Sequence, residues 1–347
     1  MADLEQPAPS PKIRLGRYLP ILIILGLAVY LLMPQITTLE NSWAVVQGMI
    51  WWAVALAVVA QALSYLGSGF ILHSILDTNQ QKLSTLRGAL ITMASFSIGL
   101  VAGGWVGAAA ATYGWVRRES RDGNTATLAG TLPAMLNNAV LAGVALIGTI
   151  YLLVIHDLSQ MQLIGFGAIM LVICLMIFGI VTGLRSPEMV TKLAVRLSSR
   201  WAALRHKSYE PEETIATVKQ FIIAWNSLGE GKWRRPLLGA ITNIGLDMLT
   251  LYFLFIATGY NVNLGILFAG YGLPFILGKI AFLFPGGVGV MEASMVAMYD
   301  SLKVPNGVSV VVILGYRLLS FWIPSLLGFA AAAYLSRKSP VKSIALN

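Results

Sequence analysis

A glycine-rich break interrupts two apolar stretches near the C-terminus and ends in a carboxylate. It reads Phe284-Pro285-Gly286-Gly287-Val288-Gly289-Val290-Met291-Glu292. Pro285 ends a helix from its N-terminal side, and the glycines permit positive φ angles and close approach of a ligand to the backbone. If a half-helix begins near Val288, its unpaired N–H groups and its dipole form an anion site. This pattern predicts binding of a phosphate group.

Four ionisable side chains are predicted at membrane depth around this break. Arg317 lies inside the next apolar stretch, and a guanidinium can bind phosphate with two parallel hydrogen bonds. Asp247 lies in an apolar stretch, with Asn243 one turn earlier on the same face, and Lys279 precedes the break. Because lone charges are costly in hydrocarbon, we expect Asp247, Lys279, Glu292 and Arg317 to pair in one interior cavity.

The role of Glu292 has several interpretations at this point. A carboxylate beside an anion site would repel phosphate, so Glu292 would pair with Arg317 or Lys279, accept a headgroup amine, or carry a coupling proton. The simpler alternative is a packing kink in which a Glu292–Arg317 pair only holds two helices together. The residues predicted to bind substrate are Pro285, Gly286, Gly287, Gly289, Glu292, Arg317, Asp247, Lys279 and Asn243.

The composition predicts an all-α polytopic membrane protein. Hydrophobic residues make up 57 %, charged residues 11 %, and the mean hydropathy is +0.75. The formal charge of +9 does not indicate a nucleic-acid partner, because the basic residues cluster in loops beside apolar spans. The single cysteine, Cys174, excludes an internal disulfide and a cysteine metal cluster. We expect no cofactor and no metal.

The apolar stretches predict about six full transmembrane helices and two glycine-broken regions. A helix needs about 20 apolar residues to cross the hydrocarbon core. The interrupted regions are 88–115, with glycines at Gly103, Gly104 and Gly107, and 264–302, which contains the break above. The full spans are predicted at roughly 18–38, 43–70, 124–154, 160–183, 236–258 and 306–335.

The distribution of lysine and arginine predicts the orientation of these spans. The positive-inside rule puts both termini and the 185–235 segment in the cytoplasm. Region 88–115 then begins and ends inside, and region 264–302 begins and ends outside, so each is predicted to be a re-entrant hairpin. A span, a hairpin and a span thus occur twice in opposite orientations, which is an inverted repeat. The alternative is that one region is an ordinary helix pair.

The domain organisation follows from this assignment. Residues 1–17 form a disordered cytoplasmic tail, residues 18–335 form one membrane domain, and residues 336–347 form a second tail. The domain divides into a first half at 18–183, a connector at 185–235 and a second half at 236–335. Lys192, Arg196 and Arg200 line one face of the connector, so we expect it to lie on an anionic membrane surface. It either recruits lipid or simply links the halves.

The break residues, followed by Gly315-Tyr316-Arg317 and Trp322-Ile323-Pro324, resemble the C-terminal signature of the lysylphosphatidylglycerol synthase transmembrane-region family, also called UPF0104 or flippase-like. In its two-domain members the resemblance implies a membrane part that moves an aminoacylated phospholipid between leaflets, and a soluble domain that synthesises it. We expect no such soluble domain in this chain, so the synthase activity is not carried over. Family members often have a proline and an acid at the first break, and Gly103-Gly104-Trp105-Val106-Gly107-Ala108 has neither.

Three classes of function remain open from the sequence. The leading one is a lipid translocator, with a phospholipid or polyprenyl-phosphate-type lipid as partner, in a bacterial cytoplasmic membrane. The second is a scaffold or regulator of envelope lipid metabolism. The third is an integral membrane glycosyl or aminoacyl transferase, although no catalytic motif is present and we expect no enzyme. The small-residue spacing of Gly99, Gly103 and Gly107 serves either internal packing or a homo-oligomer.

Overall fold

The protein is helical throughout the part that its structure, a computed structural model, describes. That part comprises residues 43–120, 122–155, 186–204, 211–226, 231–280 and 288–338, with Gly167, Leu171 and Gly229. Its helices are α1 (Trp43–Gln47), α2 (Trp51–Thr78), α3 (Thr85–Val101), α4 (Trp105–Ser120), α5 (Gly123–Ile155), α6 (Pro187–Leu204), α7 (Pro211–Asn226), α8 (Arg234–Ala257), α9 (Leu264–Ile280), α10 (Val290–Ser301), α11 (Asn306–Arg317) and α12 (Ile323–Lys338).

Within the described residues, four helical segments are long and apolar enough to cross a membrane. They are Trp51–Thr78, Gly123–Val154, Arg234–Ala257 and Asn306–Arg337. The chain is therefore an all-α, multi-pass membrane protein, and the predicted class is confirmed. The last three segments agree with the predicted spans 124–154, 236–258 and 306–335. The predicted spans 18–38 and 160–183 lie outside the described residues.

The predicted span at 43–70 is wrong at both ends. Ile50 is extended and its N–H bonds to the carbonyl of Ala257 at 2.7 Å, so α1 and α2 are separate helices. At the other end α2 continues to Thr78 because its polar residues find partners. His73 Nδ1 lies 2.6 Å from the carbonyl oxygen of Leu83, and Asp77 pairs with Arg235. The prediction from hydropathy ended the helix at the point where these polar residues begin.

The first glycine-broken region is a tight helical hairpin. Helices α3 and α4 are joined through Ala102, Gly103 and Gly104, and both glycines have positive φ angles, +91° and +67°. Arms of 17 and 16 residues are about 25 Å long, shorter than the hydrocarbon core of about 30 Å. This length fits the predicted re-entrant hairpin.

Glycines at positions 99 and 107 bring the two arms of this hairpin together. A Cβ on Gly107 would lie 2.2 Å from the carbonyl oxygen of Ala102, and one on Gly99 would lie 2.6 Å from that of Gly104. The small-residue spacing therefore serves packing within the hairpin, one of the two uses considered from the sequence. A homo-oligomer stays a prediction that does not rest on these glycines.

The second glycine-broken region also has two helical arms, α9 and α10. Helix α9 ends at Ile280 and α10 begins at Val290, two residues after the predicted half-helix start. Residues 281–287, between the arms, lie outside the described residues. The arms are unequal in length, 17 and 12 residues, whereas those of the first hairpin are nearly equal.

The two halves pack against each other through helices at corresponding positions. Helices α2 and α8 pack together, the first arm of the first hairpin packs on α12, and the first arm of the second hairpin packs on α5. Glycines make these approaches close: a Cβ on Gly148 would lie 2.4 Å from the backbone nitrogen of Ala269, and one on Gly328 would lie 2.1 Å from Ser97 Oγ. A two-fold axis between the halves would produce this reciprocal pairing, so the packing supports the inverted repeat, which stays a prediction.

The connector contains two helices, α6 and α7, that pack on each other, and α7 also contacts α5. Lys192, Arg196 and Arg200 are exposed on α6, as predicted for a basic face. Met189 and Leu193 are exposed on the same helix, 59 % and 56 % respectively. Helix α6 therefore presents both basic and apolar side chains to its surroundings.

Candidate functional site

The site begins at the N-terminus of α10, immediately after the glycine-rich break. Gly289 precedes the helix with φ +83° and ψ −50°, a conformation that side-chain-bearing residues rarely adopt. This geometry aligns its N–H with the first turn of α10, where Glu292 is the third residue. Glu292 Oε2 accepts a hydrogen bond from the Gly289 N–H at 2.7 Å. The helix terminus thus binds an anion, and the anion is the protein's own carboxylate.

The second oxygen of this carboxylate pairs with Arg317. Arg317 Nε donates to Glu292 Oε1 at 2.7 Å, and the exposed side-chain fractions are 6 % and 0 %. The guanidinium carbon also lies 4.2 Å from the centre of the Phe321 ring, a cation–π contact. The pair joins α10 to the end of α11 in an environment that excludes solvent.

A π-helical turn follows Arg317 and places Phe321 under its guanidinium. Residues Leu318–Trp322 form this turn, in which the N–H of Ile323 bonds to the carbonyl of Leu318. Pro324 has no N–H to give to the carbonyl of Ser320, four residues earlier. The hydroxyl of Tyr65 on α2 donates to that carbonyl instead, at 2.9 Å. Local π-helical turns of this kind are frequent at functional sites.

Phe321 also connects the site to the first hairpin. Its ring meets Phe96 of α3 edge to face, with ring centres 5.7 Å apart. Val288, at the end of the second break, is buried against Phe321, and Leu100 of α3 packs on the same cluster. The two glycine-broken regions therefore meet at one aromatic residue, next to the Glu292–Arg317 pair.

Asp247 of α8 is the second acid of the site and is partly buried, and its hydrogen-bond partners are neutral. Tyr271 of α9 and Tyr316 of α11 each donate a hydroxyl hydrogen bond to Asp247 Oδ2, at 2.7 and 2.6 Å. Gln61 of α2 lies within hydrogen-bonding range of the same carboxylate. Tyr316 precedes Arg317 directly, so one turn of α11 contacts both acids. The two acids have separate surroundings, linked through this turn.

Asn243 joins the two halves by packing. Its side-chain nitrogen donates to the carbonyl oxygen and to the hydroxyl of Ser64, both at 2.9 Å, and the Ser64 hydroxyl lies 2.9 Å from the Asn243 carbonyl oxygen. These bonds bridge α2 and α8 beside Gly67, where a Cβ would lie 2.8 Å from the Asn243 nitrogen. Asn243 has a structural role here, and a ligand-binding role for it stays a prediction.

Comparison with known families gives a match over most of the chain. The model of the lysylphosphatidylglycerol synthase transmembrane region matches residues 19–328, which include the described hairpins, Asp247 and Glu292. The chain belongs to this family. The resemblance inferred from the residues of the second break and from the segment around Arg317 is therefore confirmed.

Relatives of known name cover most of the chain at low identity. A UPF0104 membrane protein of Pyrococcus horikoshii is 22 % identical over 321 residues, 89 % of this chain and 94 % of that protein. Inner membrane protein YbhN of Escherichia coli is 24 % identical over 311 residues, 88 % of this chain and 86 % of that protein. A UPF0104 membrane protein of Methanothermobacter thermautotrophicus is 33 % identical over 89 residues, 26 % of each chain.

The described structure brings together some of the predicted site residues of this family member. Gly289, Glu292 and Arg317 form one contact group, and Asp247 lies next to it through Tyr316. Pro285, Gly286 and Gly287 lie outside the described residues. The backbone of Lys279 is in the last turn of α9, and its side chain is outside the described part. Of the four charged residues expected to pair, Glu292 and Arg317 are observed to do so.

Sequence reasoning missed the aromatic residues that hold the site. Tyr271 and Tyr316 are both fully buried and bind Asp247, and Phe321 supports Arg317. A signal existed for two of them: Tyr271 lies between Gly270 and Gly272, and Tyr316 lies beside Arg317. Flanking glycines leave space for neighbours, since a Cβ on Gly270 would lie 2.3 Å from the Tyr299 ring and one on Gly272 2.7 Å from Ala145.

Proposed function

We propose that this protein is a lipid translocator that binds the phosphate of a lipid headgroup between its two halves. The observation that supports this most is the solvent-excluded arrangement of Arg317, the Gly289 N–H and Glu292. A backbone N–H at a helix N-terminus together with an arginine is a combination that favours anions. Ionisable residues at membrane depth are rare and usually functional.

In this proposal Glu292 marks the position that the headgroup phosphate takes. The carboxylate accepts from the Gly289 N–H and from Arg317 Nε, and a phosphate oxygen would accept from the same two donors. Binding would therefore be an exchange, in which the incoming phosphate replaces Glu292 on Arg317, and the displaced carboxylate takes a headgroup amine or a proton as its new partner. The exchange avoids an unpaired guanidinium in hydrocarbon, which would be costly.

The rest of the lipid would follow the boundary between the halves. The polar residues around Asp247 lie where α2, α8, α9 and α11 meet. The acyl chains would remain in the bilayer beside these helices. We place the protein in a cytoplasmic membrane with both termini inside, and a phospholipid or polyprenyl-phosphate-type lipid is its substrate. The exposed Lys192, Arg196 and Arg200 of α6 would hold the connector on the anionic surface.

The direct test measures lipid movement in liposomes. Purified protein is reconstituted with a fluorescent anionic phospholipid in both leaflets, and the fraction reached by a membrane-impermeant quencher is followed over time. We expect wild-type protein to accelerate the quenching of lipid that began in the inner leaflet, and Arg317→Ala to abolish that acceleration. Arg235→Ala is the matched control, because Arg235 also pairs with an acid but is mostly exposed at a helix end.

Two outcomes decide between supporting and contradicting this proposal. Loss of movement in Arg317→Ala but not in Arg235→Ala, with both variants folded and monodisperse in detergent, supports it. Equal lipid movement in wild type and folded Arg317→Ala contradicts it. A fluorescent polyprenyl phosphate is tested in the same assay, so that the two lipid classes are compared directly.

A second candidate function is a membrane scaffold, and the exposed face of α6 favours it. Met189 and Leu193 are more than half exposed beside three exposed basic residues, a combination that suits docking of an acidic partner as well as a lipid surface. Charge reversal of Lys192, Arg196 and Arg200 distinguishes the two. Loss of a specific co-purifying protein, with unchanged lipid movement, would favour the scaffold.

A further inference from the structure

The charges of the described site do not balance. Glu292 and Arg317 neutralise each other in a direct ion pair, but none of the ion pairs among the described residues includes Asp247. Tyr271 and Tyr316 donate their hydroxyls to Asp247, and the Gln61 amide lies within hydrogen-bonding range of it, but none of these groups carries a charge. An ionised carboxylate without a cation is costly at membrane depth, so this acid needs a cation or a proton.

Gln61 beside Asp247 has an unmet hydrogen-bond requirement. Gln61 is 5 % exposed, and its Oε1 has no hydrogen-bond partner within the described part of the chain. A buried acceptor without a donor is destabilising, so such an atom points to a missing hydrogen. Its amide lies within hydrogen-bonding range of the Asp247 carboxylate. Rotation of the amide by a half-turn exchanges the oxygen and nitrogen that face that acid.

A single proton on Asp247 would neutralise its charge and supply a hydrogen-bond donor to Gln61 Oε1. We propose that Asp247 and Gln61 form a proton-binding site, in which Asp247 protonated on Oδ1 donates to Gln61 Oε1. When the proton leaves to solvent, the carboxylate keeps both tyrosine bonds on Oδ2, and the Gln61 amide turns to donate its Nε2. Asp247 is partly exposed, and the proposal requires that this exposed side faces water. The use of this proton to drive lipid movement rests on the proposed function, whereas the proton site itself does not.

The groups facing Asp247 favour such a reversible site. Helix α2 brings Gln61 and also Tyr65, which lies within electrostatic range of Asp247 and of Arg317. Helix α9 brings Tyr271, and α11 brings Tyr316 and Arg317; Asn243 is one turn earlier on α8 itself. Helix α5, which packs on α8, carries Asn137 and no carboxylate between Gly123 and Ile155. Apart from Arg317, the side chains named around Asp247 are neutral.

The proton is observable in infrared difference spectra of the reconstituted full-length protein. Spectra are recorded between about pH 5 and about pH 9, a range in which an ordinary aspartic acid is ionised. We expect a band from a protonated carboxyl that disappears with rising pH and is absent in Asp247→Asn. The band should persist in Asp77→Asn, which removes a half-exposed carboxyl at the end of α2.

Gln61→Leu tests the proton acceptor. A carboxylic acid that loses the acceptor of its O–H has a stronger C=O bond, so the band should move to higher frequency. An unchanged band in folded Gln61→Leu would remove Gln61 from the proposal. No band assigned to Asp247 anywhere in the pH range would overturn the proposal as a whole.

Lipid movement measured under a pH gradient separates this inference from the proposed function. If the gradient accelerates movement in wild type but not in Asp247→Asn, the proton drives transport. A carboxyl band assigned to Asp247 without any lipid movement would overturn the translocator and leave the proton site standing. Lipid movement in wild type without that band would overturn the proton site and leave the translocator standing.

Discussion

The two glycine-broken hairpins share an arrangement of helices but differ in their chemistry. In the first, Gly103 and Gly104 turn the chain tightly, and a Cβ at either position would meet nothing within 4 Å. In the second, Gly289 begins a helix whose first turn holds Glu292 against Arg317. The first break is a connection between packed arms, and the second places a buried ion pair at the start of a helix.

The charged residues of the two halves follow the same division. In the described first half they lie at helix ends: Arg87 pairs with Glu119, Asp77 pairs with Arg235, and Asp122 precedes α5. In the second half Asp247 and Arg317 lie inside apolar spans, and Glu292 is buried in the first turn of α10. The described buried charges are therefore concentrated in the second half, while the first half provides packing surfaces such as Phe96 and Ser97.

Breaking the Glu292–Arg317 pair should have the largest effect on stability. We expect Glu292→Gln or Arg317→Ala to lower the free energy of unfolding by about 3–5 kcal/mol, because each leaves a buried charge without its partner. The double variant Glu292→Met with Arg317→Met should cost less than either single change. Unfolding in mixed micelles measures all three, with Arg235→Ala as the surface control expected at about 0–1 kcal/mol. Equal losses for Arg235→Ala and Arg317→Ala would contradict the distinction between buried and surface pairs.

Filling the first hairpin should have the next largest effect. We expect Gly107→Val to cost about 1–3 kcal/mol or more, because its Cβ would overlap the carbonyl oxygen of Ala102 and force the arms of the hairpin apart. Gly114→Ala, where a Cβ meets nothing within 4 Å, is the matched control and should be nearly neutral. Thermal unfolding of both variants measures the difference. Similar midpoints would show that the arms are not tightly packed.

Removing one tyrosine hydroxyl at Asp247 should have a smaller effect. Hydrogen bonds between membrane helices are worth about 0.6 kcal/mol on average and about 1.7 at most, so Tyr271→Phe and Tyr316→Phe should each fall in this range. Their double variant should lose more than the sum, because Asp247 Oδ2 then has neither hydroxyl donor. The unfolding free energies of the singles and the double form the required cycle. Strict additivity would indicate that the hydroxyls act independently.

The smallest expected effect concerns the edge of the first half. The hydroxyl of Thr125, followed by backbone N–H bonds from Thr125 and Asn124, holds the pKa of Asp122 below its ordinary value. A lowered folded pKa means that this stabilisation is present above about pH 4 and is lost as the pH falls through the folded pKa.

We therefore expect Asp122→Ala to cost roughly 0.5–1 kcal/mol at neutral pH, the lower part of the range for an N-cap because solvent competes there. The difference from wild type should shrink in acid. Unfolding measured at neutral and acid pH checks both the size and the sign. A difference that grows as the pH falls would contradict the assignment of Asp122 as a charged cap.

Much of the site was predictable because rare residue types carry strong signals in an apolar chain. Glu292 and Arg317 stood out because charges seldom occur at that depth, and Gly289 because glycines cluster before a helix. The half-helix start was predicted within two residues for the same reason. Asn243 was also polar and at the right depth, but its amide bonds to Ser64. A sequence pattern does not distinguish a polar group used for packing from one used for binding.

The sequence by itself determined the class, the family, the broken helices and the charges that must be paired. These follow from hydropathy, glycine content and the cost of charge in hydrocarbon, all of which are properties of single segments. Only the tertiary structure decided which acid the arginine takes and which acid keeps the tyrosines. Those choices depend on distances between α8, α9, α10 and α11, which are set by close glycine contacts between helices far apart in the chain. They decide that Glu292 pairs with Arg317, while Asp247 accepts hydrogen bonds from Tyr271 and Tyr316.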